Sequence, residues 1–336
     1  MEIIDLSLSL TSKNVEKAKK YLSLFPFYYN QINCLMYVEE LGSLNAAIFN
    51  NVIKTEEKVG EFNYCLFENT VEVKLEELNK VWLNYFKKHD IKVNVLLTYK
   101  DDVSVLQKYN IINKLIIRCK REEFDLTEIN NLYKKYQIPL DVKVKGIGDS
   151  ILINDDELSK KMQEYFPIWL SDKEGTLFVP YRSFVDSALG GSYKLCINDS
   201  CIGKNFYMDE KGNIFTCNKS CLNKYSYGNM SEIETLDNIY LAKEFERFVS
   251  KNITRRKGCA SCSYFKKCQG GCPSDSLLNQ GKIEKINENY CKNYKIWEEF
   301  TKEEIKKIIE KKKILKELNP SFRNLLIDSL KMDIRL

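Results

Sequence analysis

The chain has 336 residues, enough to bury a sizeable core and, because single cores rarely grow past about 250 to 300 residues, to form two domains. Its 52 lysines and arginines against 47 acidic residues leave a formal charge of +5, too little at this size to call for nucleic acid, and no apolar stretch approaches the roughly 20 residues of a membrane span. The single histidine, His89, at the end of a lysine-rich segment, excludes Ser-His-Asp triads and zinc sites with several histidines, while twelve cysteines direct any chemistry towards sulfur.

The opening Met1-Glu2-Ile3-Ile4-Asp5 does not read as a signal peptide, so a reducing, cytoplasmic location is expected. Ile4, Leu6, Leu8 and Leu10 alternate as in a strand over residues 3 to 10, and Thr11-Ser12 precede an amphipathic helix over 13 to 25. Residues 26 to 73 carry aromatic and β-branched clusters that indicate strands without fixing their order. Leu75, Leu78, Trp82 and Tyr85 share one helical face; strands follow over 93 to 99, 114 to 119 and 140 to 144, with a short helix over 103 to 109. Asp125 with Glu128 marks a helix start, and Leu126, Ile129, Leu132 and Tyr136 form its buried side. Strands recurring at about 20 to 26 residues with helices between them predict parallel α/β units, compatible with part of a barrel.

Residues 150 to 172 are helix-prone, 175 to 181 predict another strand, and Gly190-Gly191-Ser192 mark a boundary. Phe206 to Cys217 reads as a hairpin in which Gly212 supplies positive φ, and a helix is expected over 236 to 249. After Cys291 comes a long helix, with Trp297, Phe300, Ile305, Ile308, Ile309 and Leu315 on its apolar side and Lys311-Lys312-Lys313 as a solvated face. Pro320 ends it, leaving a last amphipathic segment over 322 to 330 to dock on the barrel or on a partner.

The densest chemistry lies in Cys259, Cys262, Cys268 and Cys272, spaced C-x2-C-x5-C-x3-C, with Cys196, Cys201 and Cys217 before them and Cys291 after. A thiolate is a soft anionic ligand, and four can hold zinc or an iron-sulfur cluster. Cys272 is followed by Pro273, as in two-cluster ferredoxins whose last cysteine of a tight run ligates the other cluster, so it reads as a cross-over ligand. Two zinc sites of four cysteines each would use the same residues, and disulfides are disfavoured in a reducing compartment. Cys34, Cys65 and Cys119 have no partner at ligand spacing and read as buried structural thiols, while Cys221, four residues beyond Cys217, stays outside the ligand set.

Cys196, then fifteen residues to Gly212, four more to Cys217, the run from Cys259 to Cys272 and a final Cys291 resemble the seven-cysteine SPASM signature of peptide-modifying radical SAM enzymes, over about residues 190 to 300. With Cys201 the segment is similar to that of the anaerobic sulfatase-maturing enzymes. The resemblance implies two auxiliary 4Fe-4S clusters, the first on Cys196, Cys201, Cys217 and Cys272 and the second on Cys259, Cys262, Cys268 and Cys291. It also implies an α/β fold: a degenerate, partial radical-SAM-like barrel over 1 to 190, a small cysteine-rich SPASM domain over 191 to 300 and a C-terminal helical segment over 301 to 336.

One part of the family pattern is missing. A working radical SAM enzyme has a C-x3-C-x2-C loop just after the first strand; here that place holds Thr11-Ser12-Lys13-Asn14, no cysteine precedes Cys34, and there is no Gly-Gly-Glu sequence. S-adenosylmethionine is therefore not expected as a cofactor, and radical SAM activity of the chain's own is not expected either. The reading that follows is an iron-sulfur accessory in ribosomal-peptide maturation that binds a precursor peptide or a maturation enzyme and relays electrons from a ferredoxin or flavodoxin. The alternatives are a peptide-modifying SPASM maturase and a zinc-stabilised interaction module.

Overall fold

A computed structural model describes residues 3–59, 63–145, 155–173, 178–189 and 201–310, with 318–320, 322–324 and 326–327 near the end. Cys196, the Gly190-Gly191-Ser192 boundary, the Lys311-Lys312-Lys313 run, Leu315 and parts of the segments expected over 150–172, 175–181 and 322–330 lie outside the described residues.

The fold is mixed α/β. Strands β1 (Ile3–Ser9), β2 (Gln31–Val38), β4 (Asn63–Lys74), β5 (Lys92–Leu97), β6 (Ile112–Cys119), β7 (Leu140–Val144) and β8 (Asn205–Met208) are parallel, in the order β7-β6-β5-β4-β2-β1-β8. Two short strands run antiparallel, β3 (Glu56–Val59) on β4 and β9 (Ile214–Phe215) on β8. Among the described residues the path runs from β7 to β9 without closing, and through β8 it continues past residue 190.

Parallel sheets usually bury both faces and read as continuous apolar runs. Here β1, β2 and β7 alternate, while β5 and β6 are buried on both faces over 93–97 and 115–117. Ile4, Leu6 and Leu8 on β1, Ile32, Cys34 and Met36 on β2 and Leu115 and Ile117 on β6 are buried on one face. Helices α1 (Val15–Ser23), α2 (Ala46–Val52), α3 (Lys80–Lys88) and α4 (Leu126–Tyr136) contribute to that same core through Tyr21, Phe49, Phe86 and Ile129. The other face is largely polar. On it Asn33 donates to Asp5 at 2.8 Å, Gln31 to Glu68 at 3.0 Å, Lys114 to Asp141 at 2.9 Å and Lys143 to Glu72 at 3.3 Å. Period-two patterning thus gives the sheet one largely polar face and one apolar face packed under helices.

Local sequence explains the elements. Asp125 caps α4 by accepting from the Thr127 and Glu128 amides, and Gln137 ends it at φ 57, ahead of Pro139. α3 begins only at Lys80, later than the Leu75 periodicity predicts, because Asn79 accepts from the amides of Val81 and Trp82 and fixes the start there. The strand expected over 175–181 is corrected: Phe178 keeps a single parallel bridge to Leu140, and α6 (Val179–Ala188) starts beside it, with Pro180 in its first turn. The helix expected over 236–249 is two, α7 (Leu236–Tyr240) and α8 (Lys243–Lys257).

The cysteine-rich segment is fastened by aromatic packing. α11 (Glu288–Glu310) lies against α6 and α5 (Asp156–Leu170), with Trp297 fully buried, its indole donating to Ser159 at 2.8 Å and its ring 5.8 Å from that of Phe166. Glu298, also fully buried, accepts from Ser187 at 3.2 Å and pairs with Lys267.

Candidate metal centres

α8 ends at Gly258, and the next turns bond the Cys259 amide to Arg256 O at 3.0 Å and the Cys262 amide to Cys259 O at 2.9 Å, placing these two thiols on one loop. The short helix α9 (Phe265–Cys268) then gives way to Gln269, Gly270 and Gly271 at φ 51, 82 and 75. Three successive left-handed residues reverse the chain, which explains the two glycines, and Cys272 emerges as the N-cap of α10 (Pro273–Gln280). Cys268 and Cys272 therefore belong to different surroundings.

Cys259, Cys262, Cys268 and Cys291 line one cavity of about 200 Å³. Cys291 reaches it from the first turn of α11, where Asn287 O accepts its amide at 3.0 Å. Burial raises the Cys259 thiol, and Cys291 pushes in the same direction; burial likewise raises Cys268, with Cys259, Cys262 and Cys291 adding to it.

Cys272 is buried among other groups. Burial pushes its thiol up to about 11, with Asp275 and Cys217 adding to the effect and Lys219 opposing it. Cys217 Sγ lies 3.5 Å from Ser274 Oγ and Cys221 Sγ 3.8 Å from Ser274 O, while Lys219 pairs with buried Asp275 at 3.0 Å. The β8–β9 hairpin turns at Gly212, φ 89, so Cys201 just before β8 and Cys217 just after β9 sit at one end of it. Both face Tyr227 electrostatically, and Cys201 faces Arg255 as well. Cys196 lies outside the described residues. Among those residues no group of three Cys, His, Asp or Glu side chains is drawn together as ligands of a metal ion.

The donor set fits an iron-sulfur group. The thiols gather in two places, the buried Tyr290 hydroxyl and Arg255 Nε have no hydrogen-bond partner among the described residues, and sulfur-rich clusters offer acceptors to such donors. Cys34, Cys65 and Cys119 lie on β2, β4 and β6, all buried in the apolar core. At the C-terminal end of β1, Asn14 accepts from the Thr11 amide at 2.9 Å and donates to Ser9 O at 2.7 Å, closing the turn into α1.

Comparison with known proteins agrees with this architecture. Native anSMEcpe with bound AdoMet and the Cp18Cys peptide superposes with a TM-score of 0.70 at 13% identity, covering 92% of this chain and 100% of that one. The chain has the anSMEcpe fold. Streptococcus suis SuiB is more distant, with a TM-score of 0.54 at 16% identity over 84% of this chain and 76% of its own. In sequence the chain is 24% identical to a cysteine-type anaerobic sulfatase-maturating enzyme of Clostridium perfringens over 64% of its length, and 22% identical to that of Clostridium novyi over 65%. It spans 55% of the first enzyme and 67% of the second. No family model matches. The resemblance carried by the cysteines thus extends to the relatives and to the fold.

Cys221, kept outside the ligand set, has thiol neighbours, and Arg255 escaped the sequence reading. Cys221 approaches Cys217 and Cys272 through Ser274, a proximity that its spacing from Cys217 hints at. Arg255 sits in a basic helix end, where position alone implies only a solvated cation.

Proposed function

We propose that the chain is an iron-sulfur accessory of a ribosomal-peptide maturation system. In this reading Cys196, Cys201, Cys217 and Cys272 hold one 4Fe-4S cluster, and Cys259, Cys262, Cys268 and Cys291 hold the second. Residues 1–190 supply the scaffold, 191–300 the cluster domain and 301–336 a helical extension.

The observation that carries it is the reversal at Gln269, Gly270 and Gly271, which turns neighbouring cysteines towards two separate gatherings of thiols. Cys259, Cys262, Cys268 and Cys291 line one cavity, an all-thiol donor set of the kind that takes a 4Fe-4S cluster. When bound, such clusters exchange single electrons, which suits a relay from a ferredoxin or flavodoxin. The polar sheet face, with Asp5, Asn33, Glu68 and Glu72, offers hydrogen-bonding groups to a precursor peptide or a maturation enzyme, and a solved relative carries a bound peptide. The Asn14-closed turn after β1 supports a scaffold that does not hold S-adenosylmethionine.

Anaerobic purification and reconstitution, followed by iron, sulfide and zinc analysis and electron paramagnetic resonance, tests this. The expected result is about eight irons and eight sulfides per chain, with broad absorbance from sulfur-to-iron charge transfer. Stoichiometric zinc without iron overturns it.

A further inference from the structure

Arg255 is 2% exposed, and every acceptor it uses is neutral. Nη1 donates to Ser276 Oγ at 3.1 Å, Nη2 to Gly271 O at 2.9 Å and to Asn252 Oδ1, and Nε finds no acceptor among the described residues. A buried cation held by neutral groups alone is costly, and buried charges are ordinarily paired. The groups that face it electrostatically are three thiols, Cys272 and Cys201 from one gathering and Cys259 from the other, together with Tyr290. The Gly271 carbonyl that it grips belongs to the chain reversal separating the two.

Thiols are neutral until a metal displaces their protons; ligation then produces the anionic sulfur that Arg255 lacks as a partner. A 4Fe-4S cluster with four thiolates carries about two negative charges, and each added electron increases that by one. We propose that Arg255 is a counter-ion shared by the two metal centres, balancing the thiolate charge of both and raising both reduction potentials together. The inference rests on the cluster reading above. It requires no new contact, since hydrogen bonds already hold the guanidinium on the Gly271 carbonyl of that reversal and on Ser276, whose hydroxyl donates to Cys272 O.

The test is a dye-mediated redox titration of the reconstituted full chain, with dithionite as reductant and electron paramagnetic resonance as readout, alongside iron analysis. Arg255→Met removes the charge and Arg255→Lys keeps it while removing the fork. Expected are two lowered midpoint potentials in Arg255→Met, with Arg255→Lys nearer the unaltered protein at both. Loss of iron from Arg255→Met but not from Arg255→Lys supports the same role. Unmoved potentials, a shift at one cluster only, or equal loss of iron in both variants overturns it and leaves Arg255 a packing residue. An unaltered protein that takes up no iron overturns the cluster reading itself, an outcome distinct from these.

Discussion

Cys268 and Cys272 are four positions apart in the run and face different thiols, so their individual removal separates the two centres. Cys268→Ala should abolish the paramagnetic signal of the Cys259 set and leave the other, while Cys272→Ala should do the reverse; loss of the same signal in both would refute the division. Acidity gives a second expectation. The Cys272 thiol is pushed up to about 11 and that of Cys34 to about 12, both chiefly by burial, from an ordinary value of 9.0. A group whose folded value is raised contributes stability that is complete below its unfolded value and is lost as pH climbs towards the folded one. Metal-free protein should therefore weaken between about pH 9 and 11, by roughly 2 kcal/mol for Cys272, and Cys272→Ala should flatten the fall in urea midpoint. The metal-loaded protein should show the opposite sign, releasing metal as pH falls, because ligation needs thiolates.

The loop joining α9 to α10 sets the geometry of both centres. A Cβ on Gly271 would lie 2.9 Å from the Tyr290 ring, at φ 75, so either the reversal or the first turn of α11 with Cys291 must shift. Gly271→Ala should cost about 1 to 3 kcal/mol and lower iron content at both sites. Gly281→Ala, at φ 69 with nothing within 4 Å, controls for backbone strain alone and should retain iron. Elements with strong patterns were legible in the sequence: β1 and β7 alternate cleanly, β5 and β6 stand out as short apolar runs, and Asp125 announces α4. Those set by a single polar group or a distant contact were not. Asn79 moves the start of α3, and Pro180 turns an expected strand into α6 after one bridge. The order of β2, β3 and β4 depends on long-range pairing that no local pattern encodes. In the candidate site the cysteines were visible through their spacing, whereas Arg255 becomes notable only once folding buries it.

Across the whole molecule, the sheet and the cysteine-rich segment are one construction: β8 pairs with β1, and Trp297 and Glu298 on α11 tie the segment to α5 and α6. Because β8 runs parallel to β1, the Gly212 turn of the β8–β9 hairpin reaches the end of β1 that leads into the Asn14 turn, where Lys17 donates to Lys211 O, while Cys201 and Cys217 lie at the hairpin's opposite end. Reductive cleavage of S-adenosylmethionine needs a 4Fe-4S cluster held by three thiolates near the end of β1, which leaves one iron free of protein sulfur. The turn there is instead closed by Asn14, 2% exposed and bonded to Thr11 and Ser9; Cys34 pairs with Asn69 of the neighbouring strand rather than with Cys65, Cys119 lies two strands beyond β4, and all three thiols are buried in the apolar core. Opening the core to bring them together would sacrifice a few kcal/mol per displaced side chain. The reduced, reconstituted protein incubated with S-adenosylmethionine should therefore yield no 5'-deoxyadenosine above a protein-free control by mass spectrometry. Repeated turnover that disappears in Cys34→Ala would show a catalytic centre on the scaffold, and the accessory reading would give way to an enzyme.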